Sequence, residues 1–226
     1  MLPYSLEVLF SVIAQMNAEL WPALILAGAA GGALLVATWS PVAAGRPGEA
    51  AVARFGALVL AAGWIAAAMI FYGHYLEPLF FGAVWFQWGF MGQGALLILA
   101  AVALPQASRE TAGLALWFGR LLMLYALLGM PAVDLMLGPG WPAFRVIGLA
   151  SEPTVVLTCG WLLTRRFGWS TPVLAIIPAG AGVAAAYSAL ALDWPPDWIV
   201  LGAALAVLGV QPIAAGIRRT RRRPAG

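Results

Sequence analysis

Seven stretches of mostly apolar residues, near 20–39, 52–72, 82–104, 114–136, 146–164, 172–193 and 197–216, dominate the chain. Each is close to the roughly 20 residues an α-helix needs to cross the hydrocarbon core of a bilayer. Lipid offers no partner to backbone N–H and C=O groups, so a spanning segment must satisfy them internally, as a helix does. Composition decides between lipid and water. Hydrophobic residues make up 63% of the chain and charged residues 9%, against roughly 25% charged in a soluble domain. The alternating pattern of a membrane barrel is missing. The expectation is an all-α, polytopic transmembrane helix bundle of about seven spans, forming one domain over 1–217. The fifth stretch is the least regular. Glu152 and Pro153 interrupt it, and the cleanly apolar Pro153–Leu163 is too short to cross alone, so this span reads as complete or re-entrant.

The first 19 residues have neither a basic start nor a small-residue cleavage site, so they do not read as a signal peptide. Leu6, Leu9, Phe10, Ile13 and Met16 recur at helical spacing with polar residues between them, which predicts an amphipathic helix in the interface over 1–19. At the other end, 218–226 forms a basic tail.

The chain has no lysine, and its charges segregate. Arg46, Arg54, Arg109, Arg165, Arg166, Arg218, Arg219, Arg221, Arg222 and Arg223 fall on one face of a seven-span arrangement. Short arginine-rich connections stay in the cytoplasm, which puts the N-terminus outside and the C-terminus inside. Glu7, Glu19, Glu77, Asp134, Glu152, Asp193 and Asp197 fall on the other face, with Trp21, Tyr72, Tyr75, Trp85, Trp141, Trp194 and Trp198 forming an interfacial aromatic belt. Arg218–Arg223 then reads as a topology anchor or a contact for anionic lipid rather than a nucleic-acid site.

The inventory excludes several chemistries. Without lysine no retinal or pyridoxal Schiff base can form through a lysine side chain. His74 is the single histidine and Cys159 the single cysteine, so a bis-histidine haem, an intrachain disulfide and a thiolate zinc cage are ruled out. No cofactor, metal site or catalytic set is expected. Glycines within the apolar runs read as packing sites, with Gly28 and Gly32, and Gly180 and Ala184, at the spacing that lets helices approach.

Ionisable groups inside spans cost about 2.5–3.5 kcal/mol on insertion scales and are functional candidates by default. Arg120, within Leu114–Met123, either lies in the bundle or snorkels to the inner headgroups. Asp134 and Glu152 flank the outer connection Gly138–Ser151, broken by Pro139, Gly140 and Pro142. Glu152, just before Pro153, either caps a half-helix or marks a broken helix that binds a solute or ion. Thr154 follows in the same turn. His74 and Glu77 lie three residues apart and can share a helical face, as a solvated pair, a proton relay or a weak metal site. Gln93, Asn17, Thr158 and Tyr187 are expected to make interhelical hydrogen bonds.

The run Met16-Asn17-Ala18-Glu19-Leu20-Trp21-Pro22-Ala23 resembles the opening of a family of uncharacterised bacterial integral membrane proteins known only as a domain of unknown function. Phe71-Tyr72-Gly73-His74-Tyr75, Gly92-Gln93-Gly94, Pro153-Thr154 and Pro196-Asp197-Trp198 extend the likeness over nearly the whole chain. The family pattern often carries a cysteine before the Pro-Thr pair, where this chain has Glu152, so a thiol role there does not carry over. The resemblance implies a membrane fold and no established activity.

Three functions fit these residues. The first is a small permease or channel-like protein of a bacterial inner membrane, with a polar path along Arg120, Asp134, Glu152 and Gln93. The second is an accessory or scaffold subunit, seated against a membrane-protein partner or a second copy. The third is a membrane enzyme acting at the outer leaflet with Glu77, Asp134 and Glu152.

Overall fold

The structure is a computed structural model that describes residues 3–39, 46–103, 109–168 and 170–221, with the backbone alone at 46, 109 and 210–221. Arg222 and Arg223 lie outside the described residues. So do the side chains of Arg46, Arg109, Arg218, Arg219 and Arg221.

The architecture is helical. Helix α1 (Leu6–Glu19) begins at Ser5, whose hydroxyl accepts from the Val8 amide at 3.4 Å, an N-cap that satisfies one of the free amides of the first turn. Its apolar stripe turns inward, burying Phe10, Ile13 and Met16. The chain then bends by 92° into α2 (Trp21–Ala37). Pro22 explains the break, because its ring and missing N–H would disrupt a helix continuing through it but suit the first turn of a new one.

Helix α3 (Arg46–Ala66) runs on as a π-helix, Ala67–Leu76. Next come α4 (Ala83–Ala103), then α5 (Leu114–Leu124), which passes through a π-helical turn, Tyr125–Gly129, into α6 (Met130–Leu137). After an irregular connection, α7 (Ser151–Thr164) leads to α8 (Ser170–Ala191), and a 3-10 turn at Pro195–Asp197 opens α9 (Trp198–Arg221). Two short strands, β1 (Arg109–Glu110) and β2 (Arg165–Arg166), pair antiparallel and tie the start of α5 to the end of α7.

Among the described residues four helices are long and apolar enough to cross a membrane: Pro47–Leu76, Ala83–Ala103, Leu114–Leu137 and Ser170–Ala191. Counting the bent α1–α2 pair as one span makes five. The distance to seven lies in α7, with 14 residues, and in the 3-10 turn and start of α9, which together form the shorter apolar helix Pro195–Gly209. At 1.5 Å per residue α7 is about 21 Å long, short of the roughly 30 Å core. The outward faces of α2 and α8 expose Ile25, Leu26, Ile176, Val183 and Leu190, side chains that suit hydrocarbon better than water.

α7 is the axis of the bundle: all its residues are buried except Glu152, which is partly so. Close approach is achieved at Gly119 and Gly160, where a Cβ on either would stand 2.6 or 2.7 Å from the other's carbonyl oxygen. On the α8–α9 side Gly182 does the same, 3.0 Å from Ala204. The expected packing glycines differ. Among the described residues no side chain or neighbouring backbone comes within 4 Å of a Cβ position on Gly28, Gly32 or Gly180, because small-residue spacing marks a stripe without saying whether it faces a neighbour.

Candidate functional site

The connection between α6 and α7 is where the fold departs from simple helix packing. It includes a cis peptide at Trp141–Pro142, and Asn17 of α1 anchors it by donating to the Pro142 and Phe144 carbonyls at 2.6 and 2.7 Å. Gly148 has φ +73°, a left-handed conformation that glycine adopts without strain. Its amide donates to the Thr154 hydroxyl at 2.7 Å, and that hydroxyl donates to the Ala150 carbonyl at 2.6 Å. Thr154 therefore fastens the connection to the first turn of α7.

This tethering carries Arg145 into the interior. Its guanidinium grips Asp134 of α6 with two bonds, Nε to Oδ2 at 3.0 Å and Nη2 to Oδ1 at 2.8 Å, while its backbone amide adds a third at 2.8 Å. Nη1 donates to Asp197 at the head of α9 at 2.6 Å. Arg145 is 2% exposed, Asp134 0% and Asp197 3%. A buried charge must be paired to survive, and this one joins three segments distant in sequence. The carboxylates of Asp197, Asp134 and Glu152 surround the guanidinium and compensate its burial.

Glu152 is the third carboxylate. Its Oε2 lies 3.7 Å from Arg145 Nη1, beyond hydrogen-bonding distance, and this buried oxygen has no hydrogen-bond partner. One guanidinium thus faces three carboxylates, and the two best-placed of them take its hydrogen bonds. Glu152 sits in the first turn of α7, where the helix dipole favours a negative charge.

Beside Glu152 is a cavity of about 150 Å³. Its wall combines aliphatic side chains with aromatic ones: Tyr4 before α1, Phe71 and Tyr72 on the π-helix, Phe80 and Phe86 around the start of α4, and Tyr187 on α8. Ser151, Ser188 and Glu152 supply its other polar groups. Tyr72 stacks on Phe86 with ring centroids 5.6 Å apart and shares a side-chain hydrogen bond with Ser151. Tyr4 packs edge-on against Phe80 at 6.3 Å. Burial first, and then the charge of Glu152, push the Tyr4 phenol up to about 12. Both π-helical segments adjoin the site, and such segments are frequent where function requires a helix to reposition side chains. The first brings Phe71, Tyr72 and Leu76 to the cavity, and the second begins at Tyr125, within electrostatic reach of Arg145, Asp134 and Asp197.

The other candidates lie elsewhere. Arg120 faces the opposite end of the bundle. It donates to the Thr38 carbonyl and, at 3.1 Å, to Glu110, and its guanidinium lies over Trp39 and Trp117. Gln93 donates to the Leu174 carbonyl at 3.0 Å, joining α4 to α8, and Thr158 accepts from the Trp64 indole at 2.8 Å, joining α7 to α3. His74 and Glu77 are exposed; the His74 ring packs edge-on to Tyr75. Among the described residues no group of three or more His, Cys, Asp or Glu side chains could hold a metal ion. Of the expected residues, the structure brings Asp134, Glu152 and Thr154 together around Arg145, and places Arg120, Gln93, His74 and Glu77 apart from them. Arg145 and its partner Asp197 were not among the candidates. Arg145 and Arg120 were the two arginines off the basic face, and Arg145 stands between Asp134 and Glu152 in the chain.

A family model described as a family of unknown function (DUF6064) matches residues 6–222. The chain belongs to that family. No curated protein and no solved structure matches it. The matched range takes in both the Arg145 cluster and all of the cavity wall except Tyr4.

Proposed function

We propose that this family member is a small-solute permease of a bacterial inner membrane, and that the aromatic cavity beside Glu152 is its solute site. One observation carries the reading. The central helix is short, begins inside the protein at an ordered irregular connection, and presents at its first turn a carboxylate that borders a cavity. Irregular backbone at membrane depth is tolerated where protein buries it or where it lines a cavity, and transporters place solutes at such interrupted helices.

Seven crossings follow from counting α7 and its connection as one, together with α2, α3, α4, α5–α6, α8 and α9. The fold separates the ends in a way that supports an outside N-terminus. Arg120, Arg165 and the β1–β2 ladder lie at one end of α5 and α7, while Asp134, Glu152 and Asp197 gather at the other. Arginine-bearing connections are retained in the cytoplasm.

The test is cysteine accessibility in a Cys159→Ala background. Ser188→Cys lines the cavity, and a permease that alternates access exposes it to a membrane-impermeant thiol reagent from outside and, in another state, from inside. Labelling from neither side, with Glu77→Cys labelled from outside as control, contradicts the proposal and favours an accessory subunit.

A further inference from the structure

We infer that the cavity binds a small organic ammonium ion, with Glu152 as its counter-charge. This rests on the reading of the cavity as the solute site and adds the chemical class of what enters it.

Charge decides first. Among the described residues no arginine or histidine lines the cavity, whereas Glu152 does, and behind Glu152 stand Asp134 and Asp197 against the Arg145 guanidinium. An anion would meet an excess of negative charge. The free amides at the start of α7 do not reverse this, because Glu152 in the first turn already occupies the favourable place for negative charge. A neutral apolar guest would leave the partly exposed Glu152 carboxylate that lines the cavity without further charge compensation. A cation in the cavity supplies it through its charge.

The wall then selects among cations. A bare metal ion requires several oxygen ligands, and the described residues hold no such group. Tyr4, Phe71, Tyr72, Phe86 and Tyr187 instead present aromatic rings, which attract alkylated ammonium ions through the ring quadrupole and do so more strongly when water is excluded. Size sets the limit: an engineered apolar cavity of about 150 Å³ holds a benzene-sized guest, so a headgroup of a few carbons around one nitrogen fits about 150 Å³ here. Because Glu152 is not hydrogen-bonded to Arg145, it can turn to a ligand without breaking the Arg145–Asp134–Asp197 bonds.

The experiment is calorimetry on the full chain in detergent with choline, its uncharged isostere 3,3-dimethylbutan-1-ol and the anion 3,3-dimethylbutyrate. Choline is expected to bind at least about tenfold more tightly than the alcohol, and the anion most weakly. Glu152→Gln removes that preference and Glu152→Asp keeps part of it. Glycerophosphocholine separates the sources: weaker than choline, it assigns a free ammonium solute, and tighter, a lipid headgroup. Equal binding of choline and the alcohol, or an undiminished preference in Glu152→Gln, overturns the inference. If Glu152→Gln does not fold, Ala184→Phe, which fills the cavity and leaves every charge in place, must abolish choline binding. Two-sided access at Ser188→Cys without ammonium preference removes the substrate class and keeps the permease; preference without access does the reverse.

Discussion

Arg145 Nη1 lies 2.6 Å from Asp197 and 3.7 Å from Glu152, so the same nitrogen hydrogen-bonds one carboxylate and only faces the other. Asp134 occupies the remaining edge of the guanidinium. The cluster therefore contains two carboxylates hydrogen-bonded to the guanidinium and a third held at ion-pair distance without a hydrogen bond. That division separates stability from function, and each side of it can be tested by substitution.

Replacing Arg145 with methionine leaves three carboxylates facing one another in the interior. Breaking a buried pair from one side typically costs about 3–5 kcal/mol, and a loss of that size is expected in detergent unfolding. Arg145→Lys recovers only part, since one ammonium cannot reproduce the bidentate grip on Asp134. An Arg145→Met protein as stable as the wild type would refute the structural role.

Part of this site was legible in the chain and part was not. Asp134 and Glu152 stood out because carboxylates next to apolar runs are costly, and Pro153 marked the start of a half-helix. Arg145 did not, because a connection rich in proline and glycine ordinarily runs over the surface, where an arginine is unremarkable. Only the Asn17 bonds and the Thr154 tether show that this connection is packed inside. Arg120 is a different case. Its apolar neighbours left burial in the bundle and snorkelling both open; α5 begins at Leu114, so Arg120 lies less than two turns from its end and reaches Glu110 and the Thr38 carbonyl. The long helices were readable from hydropathy alone. The 92° break fell at the Pro22 that divides the amphipathic run from the apolar one.

Arg120→Gln is accordingly expected to be mild. A partly exposed ion pair contributes about 0–1 kcal/mol, and the cation–π contacts with Trp39 and Trp117 a similar amount. Detergent unfolding should show a loss of no more than about 2 kcal/mol, with Ser188→Cys labelling unchanged. Loss of cavity labelling in Arg120→Gln would place Arg120 back on the solute path.

Helix contact gives an independent check on the packing. Gly119→Ala or Gly160→Ala drives a methyl into the facing carbonyl at 2.6 or 2.7 Å, and overpacking of that kind costs about 1–3 kcal/mol. Gly28→Ala and Gly180→Ala meet nothing within 4 Å and should leave stability unchanged or raise it by up to about 1 kcal/mol through helix propensity. A thermal-unfolding series that ranks Gly28→Ala as the more damaging would contradict the close approach of α5 to α7.

The division of labour at Arg145 is measured most directly by two double-mutant cycles on unfolding free energy, one pairing Arg145→Gln with Asp197→Asn and the other pairing it with Glu152→Gln. Coupling within buried charge networks runs from about 0.5 to 3 kcal/mol. The cycle with Asp197 should fall near the top of that range and the cycle with Glu152 at or below its bottom, about 0.5 kcal/mol. A Glu152 coupling equal to or larger than that of Asp197 would mean that Arg145 already neutralises Glu152, and no counter-charge would remain for a solute.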